Sequence, residues 1–225
     1  MYVKELWRYP VKSMRGEPLV EAEVAVDGIV GDRLVQVQDS RGLVTARRRS
    51  GLLGLRTALD EQGIALVEGK PWWHPDVDEL VKRAAGPQSH LVARDGPERF
   101  DILPLLVATD GAIAAFGKDG RRLRPNIVIG GVDGLSERDW PGSCLRIGQV
   151  LIGVQDLRLR CIMTSYDPET LSQDKEITRD IYRRFQGKLA LNCFVIEPGP
   201  ISAGDDVQLV RGRACTDSAA MDSEH

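Results

Sequence analysis

The feature that most limits the fold is a series of short runs of alternating apolar and polar residues, separated by turn-forming residues, in the first half of the chain. In "RLVQVQ", Val35 and Val37 alternate with glutamines, and "DSRG" then leads into "LVTAR". Two such runs joined by a short turn predict a β-hairpin. The runs "LVEAEVAV", "LLGLRTAL" and "GIALVEG" predict a small barrel or sandwich and not a sheet of βαβ units.

Three helices are predicted from spacing and end signals. "VDELVKRAAG" is typical of a short helix that ends at a glycine, and Thr109 precedes a second short helix, "DGAIAAFG". In "DKEITRDIYRRFQ" the apolar residues Ile177, Ile181 and Phe185 follow one another four residues apart, and Gly187 ends the run. This spacing predicts an amphipathic helix with one buried face.

The second half adds the predicted strands "RPNIVIGG", "CLRIGQVLIGV", "LRLRCIMTS", "LALNCFVIEPG" and "GDDVQLV". The pattern changes around residues 95–104, so we expect an N-terminal domain over residues 1–95 and a second domain over residues 96–212. The polar tail, residues 213–225, is expected to be disordered. The fold class is therefore predominantly β (α+β), with two associated small β-barrel-like parts and a few helices.

Charge and hydropathy exclude several classes of function. The chain of 225 residues has 30 Lys and Arg against 33 Asp and Glu, a net charge of −3. This balance creates no field that would gather nucleic acid or an anionic membrane, so neither is an expected partner and any anion site must be local. No apolar run approaches the length of a membrane span, and "MYVKELWRYP" has no signal core. We expect a soluble, cytoplasmic protein.

The 4 cysteines and 3 histidines show no metal-binding pattern. The cysteines lie far apart and form no C-x-x-C pair, so the spacings of zinc ribbons and iron-sulfur proteins are absent. The histidines occur in unrelated contexts, which argues against a histidine-built metal site. Reduced thiols are the default expectation.

Cys161 has the most unusual setting of the cysteines, within "LRLRCIMTSYDPET". A lone cysteine in an apolar strand is usually a small buried hydrophobic residue. However, Arg158 and Arg160 are close in sequence, and cationic neighbours favour the thiolate, the form that binds metals and attacks electrophiles. The residues alone leave both interpretations open.

Several basic residues occur where a strand meets a turn. They are Lys12, which is followed by Ser13 in "YPVKSMRG", Arg33 in "GDR", Arg47 in "TARRR" and Arg124 in "RRLRPN". A cation beside a hydroxyl can hold a phosphate through charge and a short hydrogen bond. Taken singly, each is more simply interpreted as part of a solvated turn. No P-loop or dinucleotide fingerprint is present.

Six strings in this order, "YPVKSMRG", "GDR", "VTAR", "RPNIVI", "RCIMTSYDPET" and "GPISAGDDVQL", resemble the molybdenum cofactor sulfurase C-terminal (MOSC) family with its N-terminal β-barrel domain. The resemblance covers nearly the whole chain. It implies that Cys161 is the catalytic residue and supplies a thiolate to molybdenum. Because molybdenum in such sites is held mainly by two dithiolene sulfurs of a pyranopterin, a soft protein thiolate suits it as a further ligand.

The resemblance also implies a set of residues that bind the molybdenum cofactor. These are Lys12, Ser13, Arg33, Thr109, Arg124, Asn126 and Arg160. The first three match the family's contacts to the phosphate end of the cofactor. Arg124, Asn126 and Arg160 match the pterin pocket. Thr109 is a weaker match to a small hydroxyl residue at the start of a helix.

The implied function is a molybdenum oxidoreductase that reduces small N-oxygenated compounds. No iron-sulfur, haem or flavin motif is visible, so electrons would come from an external donor protein. One alternative is a sulfur carrier or transferase that uses a persulfide on Cys161, and another is a cofactor-binding protein without turnover. Compared with the family's amidoxime reductases, Arg158 replaces a second cysteine, and Leu191 and Cys193 replace a glycine and a tyrosine on the substrate side.

Overall fold

The computed structural model describes residues 1–211 and Cys215, and these form a mainly β fold. The strands are β1 (Tyr2–Arg8), β2 (Glu17–Leu19), β3 (Glu21–Ala25), β4 (Gly28–Ile29), β5 (Val35–Asp39), β6 (Gly42–Val44), β7 (Thr57–Leu59), β8 (Ala65–Val67), β9 (Lys70–Pro71), β10 (His90–Ala93), β11 (Leu105–Thr109), β12 (Ile127–Gly130), β13 (Cys144–Ile147), β14 (Val150–Leu159), β15 (Lys188–Glu197), β16 (Gly199–Ser202) and β17 (Val207–Val210). The α-helices are α1 (Pro75–Ala85), α2 (Asp110–Phe116) and α3 (Lys175–Phe185). The prediction of a predominantly β fold with a few helices is confirmed.

One large sheet organises the molecule. It has eight strands in the order β17-β13-β14-β15-β11-β12-β1-β2, and three three-stranded sheets pack around it: β10-β5-β6, β16-β3-β4 and β7-β8-β9. The pairings in the large sheet are antiparallel apart from β11 with β12. Its apolar core includes Leu6, Ile127, Leu145 and Ile152, all buried. A separate core under β5, β8 and α1 includes Val37.

The two predicted parts of the chain share sheets. Strands β1 and β2, from the first 95 residues, extend the large sheet beside β12. In return, β16 of the second part pairs with β3. The boundary near residues 95–104 stays a prediction, but the shared sheets hold the two parts closely together.

The sheets of the expected barrel-like parts do not close into barrels in the described residues. Among the described residues the large sheet has two edges, β17 and β2. Tyr2 and Asp206 form an isolated bridge, so the sheet curls until β1 meets the start of β17. A closed barrel needs a continuous ladder at this point, and in the described part of the chain the contact does not extend into one.

The structure also corrects two strand predictions. "CLRIGQVLIGV" is a hairpin of β13 and β14 and not one strand, because Gly148 turns the chain with a φ of 54°. Strand β14 then continues to Leu159. Cys161, predicted to lie within a strand, instead follows the strand's end and caps the one-turn 3-10 helix Ile162–Ser165. The hairpin of β5 and β6 forms as predicted.

The three predicted helices form, although α1 begins earlier than predicted, at Pro75, and α3 ends at Phe185. Helix α1 ends at Gly86, and the Thr109 side chain caps α2 by accepting a hydrogen bond from Ala112 N. Ile177, Ile181 and Phe185 form the buried face of α3, which with α2 covers a third apolar cluster. No helix in the described residues is long and apolar enough to cross a membrane.

Two cysteines are paired, which contradicts the expectation of reduced thiols. Cys144 of β13 forms a disulfide with Cys215, and both are buried beside Leu151. The bond spans a sequence separation of 71 residues, and a loop of that length is worth about 4 kcal/mol in the chain-entropy model. Apart from Cys215, the predicted disordered tail lies outside the described residues.

This pairing predicts the thiol count of the protein. Denatured without reductant, the chain should react with iodoacetamide at Cys161 and Cys193, which are unpaired among the described residues. After reduction, all 4 cysteines should react. In the native state only Cys161 should be labelled, because Cys193 is buried. Peptide mass spectrometry measures all three states, and four labelled cysteines without reductant would contradict the disulfide.

Candidate functional site

The structure brings six basic side chains from separate segments to one place, which we call the cationic cradle. Its members are Lys12, Arg33, Arg47, Arg124, Arg158 and Arg160. Two groups connect them. A carboxylate, Asp101, pairs with some members, and an aromatic ring, that of Tyr9, lies beneath others.

Asp101 forms ion pairs with three members of the cradle. Its carboxylate lies 2.9 Å from Lys12 Nζ, 3.5 Å from Arg47 and 3.4 Å from Arg158. Lys12 Nζ also donates a hydrogen bond of 2.8 Å to the Arg99 carbonyl. Burial would raise the pKa of Asp101, but the nearby charges of Lys12, Arg47 and Arg158 outweigh burial and hold it below its ordinary value.

Tyr9 supports two arginines through its ring. The Arg124 guanidinium lies 4.3 Å from the ring centroid and that of Arg33 lies 5.7 Å away, distances at which cation-π attraction acts. The Tyr9 hydroxyl donates to the Pro125 carbonyl at 3.1 Å. Burial raises the pKa of Tyr9 to about 12, so the ring stays neutral.

Arg160 is the member whose hydrogen bonds are least satisfied. Its side chain is buried and donates to the Leu123 carbonyl at 2.7 Å. Its Nε has no hydrogen-bond partner among the described residues. Burial, and then the positive charge of Arg158, lower its pKa to about 10. A buried cation with an unmet donor is costly unless an anion completes its surroundings.

Left-handed backbone occurs at three of the residues predicted to bind the cofactor. The φ angles are 72° at Ser13, 55° at Arg33 and 56° at Arg124. This conformation costs about 1–3 kcal/mol for a residue with a side chain, and it persists only where the surroundings enforce it. At the "GDR" turn, Asp32 accepts hydrogen bonds from Tyr9 N at 2.7 Å and from Asn126 Nδ2 at 3.2 Å, which fixes the direction of Arg33.

Cys161 lies beside the cradle and its thiol is partly exposed and unpaired among the described residues. It directly follows Arg160 in the chain and lies close to Arg158. Because β14 ends at Leu159, Cys161 lies outside the strand, at the start of the following 3-10 helix. Cys193 shows the contrast, since burial and the charge of Asp156 raise its pKa well above the usual range.

Two family models match the chain. The MOSC N-terminal beta barrel domain matches residues 1–95 and the MOSC domain matches residues 113–208.
The chain contains a MOSC N-terminal beta barrel domain and a MOSC domain.
The cradle takes residues from both matched regions, with Lys12 and Arg33 in the first and Arg124, Arg158 and Arg160 in the second.

The chain is also similar to curated proteins and to a solved structure. The chain is 26% identical over 285 residues to mitochondrial amidoxime-reducing component 1 of Homo sapiens, covering 92% of this chain and 82% of the relative. It is 24% identical over 249 residues to mitochondrial amidoxime reducing component 2 of Homo sapiens, covering 82% and 72%. The crystal structure of the YuaD protein from Bacillus subtilis matches with a TM-score of 0.50 at 12% identity, covering 94% of this chain and 96% of that one, which supports the fold.

Within this MOSC protein the predicted site residues fall into two groups. Lys12, Arg33, Arg124, Arg160 and Cys161 come together in or beside the cradle, as described above. The others serve as supports: Ser13 Oγ accepts from Ala46 N at 3.1 Å, Asn126 joins the "GDR" turn to Leu106 N, and Thr109 donates to buried Glu137 at 3.2 Å. None of the hydrogen bonds of Thr109 in the described structure reaches the cradle.

Four residues of the candidate site, Tyr9, Arg47, Asp101 and Arg158, were not predicted as cofactor contacts. Tyr9, Asp101 and Arg158 carry no local signal, because a tyrosine before a proline and an aspartate in a loop are ordinary surface residues. Their place depends on contacts with segments far along the chain, such as that of Asp101 with Lys12. The pattern "LRLR" is the only hint, since Arg158 and Arg160 point the same way along a strand.

The "DPET" segment next to Cys161 forms a turn. Asp167 accepts hydrogen bonds from the backbone of Glu169 and Thr170, and Arg122 donates to it at 2.7 Å. Glu169 binds Arg15 through both carboxylate oxygens, at 2.7 and 3.0 Å. The turn therefore fastens the segment after Cys161 to the N-terminal region.

Proposed function

We propose that this protein binds the molybdenum cofactor in the cationic cradle, with Cys161 as its protein ligand to molybdenum, and reduces small N-oxygenated compounds. The observation that carries the proposal is a cluster of six basic side chains, of which Lys12 and Arg160 are buried, beside the partly exposed Cys161. The MOSC family is associated with molybdenum cofactor binding in general, and two relatives are named amidoxime-reducing components.

The residues present fit this cofactor. The carboxylates of Asp32 and Asp101 balance only part of the cradle's charge, and Arg160 Nε has no partner among the described residues. Phosphate oxygens would supply the missing charge and acceptors through charge-assisted hydrogen bonds. The described residues contain no cluster of three or more His, Cys, Asp or Glu that could hold a metal, so Cys161 would be joined by ligands from the cofactor itself.

The chain's own groups have separable tasks in this function. When bound, the cofactor would supply two-electron redox chemistry. Lys12 and Arg33 would hold the phosphate end by charge. Arg160, which the resemblance matched to the pterin pocket, would also bind phosphate, because its buried Nε lacks an acceptor among the described residues. Asp101 keeps Lys12 and Arg158 in place, and the neutral ring of Tyr9 supports Arg124 and excludes water beneath it.

The overall reaction needs a source of electrons outside this chain. Cleavage of an N–O bond consumes two electrons and two protons and releases the reduced nitrogen compound and water. We therefore propose an external electron-donor protein as a partner and a small molecule as the substrate. We also propose a cytoplasmic location.

Reductase activity is tested with protein from a host that makes the cofactor. Given a low-potential chemical donor, the loaded protein should consume hydroxylamine- or amidoxime-like compounds, and the Cys161→Ser variant should lose this activity together with its molybdenum. Substrate loss is followed by chromatography. Metal content is measured on the same samples, so loss of metal and loss of turnover can be compared.

The sulfur-carrier alternative predicts a different result. Metal-free protein incubated with a cysteine desulfurase would gain one sulfur at Cys161, visible by mass spectrometry and removable by reductant. If that sulfur is passed on to an acceptor while the loaded protein reduces nothing in a broad panel, the reductase proposal is wrong. If loaded protein binds the cofactor but neither reduces nor transfers sulfur, cofactor binding without turnover is supported.

A further inference from the structure

A groove of 760 Å³ lies between the two halves of the protein, and we call it the apolar groove. Its lining includes Val26, Phe100, Ile102, Leu103, Asp156 and Phe194. Val26 comes from the turn between β3 and β4, Phe100 and Ile102 from the segment before β11, and Asp156 and Phe194 from β14 and β15. A volume of this size falls in the range of about 300–1,000 Å³ that small-molecule sites occupy.

Large apolar side chains are exposed at this groove. Val26 is 69% exposed and Ile102 is 56% exposed. Val26 and Ile102 lie far apart in the sequence, and the fold brings them together at one opening. Phe100 and Phe194 add aromatic surface. Exposed apolar surface that is gathered into a concave site is typical of a binding surface.

The charged groups of the groove are acidic. Among the described residues its lining contains Asp27 and Asp156 and no Lys or Arg. Asp27 is already paired with Arg99. Asp156 accepts a hydrogen bond from Asn192 Nδ2 at 2.6 Å but forms no ion pair in the described part of the chain. Its uncompensated carboxylate therefore favours a cationic group on a bound molecule.

The groove adjoins the cationic cradle. Arg158 of the cradle donates to Asn192 Oδ1 at 3.3 Å, and the same asparagine donates to Asp156. Phe100 lines the groove and also lies 5.7 Å from the Arg33 guanidinium. A molecule in the groove would therefore sit next to the proposed cofactor site.

We propose that the apolar groove binds an aromatic-sized organic molecule with a cationic nitrogen group, and that Asp156 binds the nitrogen. The apolar lining takes the hydrocarbon part and the carboxylate sets the preference for positive charge. The further identification of this molecule as the substrate or product of the enzyme rests on the proposed function. The binding itself does not.

Three probes of similar shape and different charge test this site: benzylamine, benzyl alcohol and benzoate. Binding to the full chain is measured by ligand-observed NMR, which needs no enzymatic activity. Benzylamine should bind most tightly and benzoate least, with about a fivefold difference between benzylamine and benzyl alcohol for one partly exposed ion pair. Equal binding of benzylamine and benzoate would overturn the proposal.

Two variants test whether the probes bind in the apolar groove. Asp156→Asn keeps an acceptor for Asn192 but removes the negative charge. Benzylamine should therefore bind about fivefold more weakly, at the level of benzyl alcohol, and the binding of benzyl alcohol should not change. Ile102→Lys should reverse the preference in favour of benzoate. The matched control, Asp139→Asn, removes an exposed carboxylate outside the groove lining and should change nothing.

The outcomes separate this site from the proposed function. If Asp156→Asn and Ile102→Lys both bind benzylamine like the wild type, the groove proposal is wrong, whatever the loaded protein reduces. If the probes respond as expected but loaded protein reduces nothing, the groove stands and the reductase proposal fails.

Discussion

Replacement of Cys161 by serine should leave a folded protein that no longer retains molybdenum. A hydroxyl is a harder ligand than a thiolate and is hardly ionised at neutral pH, so it binds molybdenum poorly. Loss of a group that only hydrogen-bonds to a metal ligand typically lowers metal affinity about 10- to 100-fold, and loss of the ligand itself should lower it further. Molybdenum per mole of protein, measured by mass spectrometry of the metal, checks the prediction.

Folding is not expected to change, because the Cys161 side chain is partly exposed and makes no hydrogen bond in the described structure. Its carbonyl, which accepts from Thr164, is retained in the variant. Ile162→Ala provides a neighbouring control that alters the same 3-10 helix without touching the thiol. Equal molybdenum content in folded Cys161→Ser and wild-type protein would contradict the assignment of Cys161 as the ligand.

Inorganic pyrophosphate should stabilise the cofactor-free protein, because the cradle holds more positive than negative charge. A ligand that binds only the folded state adds about 2.7 kcal/mol when present at 100 times its Kd. In a chain of this size each kcal/mol raises Tm by about 2–4 °C. Thermal unfolding with increasing pyrophosphate measures the shift.

Arg160→Met should remove most of this response. The variant loses a charged hydrogen bond to phosphate, a type worth about 1.5–3 kcal/mol, so pyrophosphate should bind about 10- to 100-fold more weakly. Lys12→Ala and Arg33→Ala should each weaken binding for the same reason, and should also lower the pterin released per mole of loaded protein. Arg184→Met, on the surface of α3, is the matched control. Equal shifts in Arg160→Met and wild type would exclude Arg160 from the site.

The lowered pKa of Arg160 also predicts that a bound anion stabilises the folded protein. Its folded-state pKa of about 10 lies below the ordinary value of arginine, so the unfolded chain binds its proton more readily than the folded chain does. At neutral pH the charged group therefore destabilises the fold, and this effect would fade only as the pH rises above about 10. A bound anion relieves the same penalty at neutral pH, which is why pyrophosphate should have a large effect.

The candidate site was predictable where residues carry a local pattern. "YPVKS", "GDR" and "RPN" identified Lys12, Arg33 and Arg124 by resemblance, and the structure brings all three together. Thr109 shows the limit of such a match. Its hydroxyl at a helix start is a real pattern, but the structure uses it to cap α2 and to bind Glu137. Its predicted contact with the cofactor stays a prediction.

The sequence by itself determined the elements whose interactions span a few residues. The β5 and β6 hairpin follows from alternation and a tight turn, and α3 follows from Ile177, Ile181 and Phe185 on one face. Hydrogen bonds within a hairpin, a cap or a helical turn depend on neighbours only, so local pattern is enough to predict them.

Only the tertiary structure decided which distant groups meet. The ion pair of Asp101 with Lys12, the disulfide of Cys144 with Cys215 and the open edges of the large sheet all depend on where remote segments pack. The position of Cys161 beside the cradle also depends on a remote segment, because the backbone N–H of the preceding Arg160 donates to the Gly187 carbonyl after β14 has ended. Such contacts are set by the packing of whole sheets, and no period or motif along the chain encodes that packing.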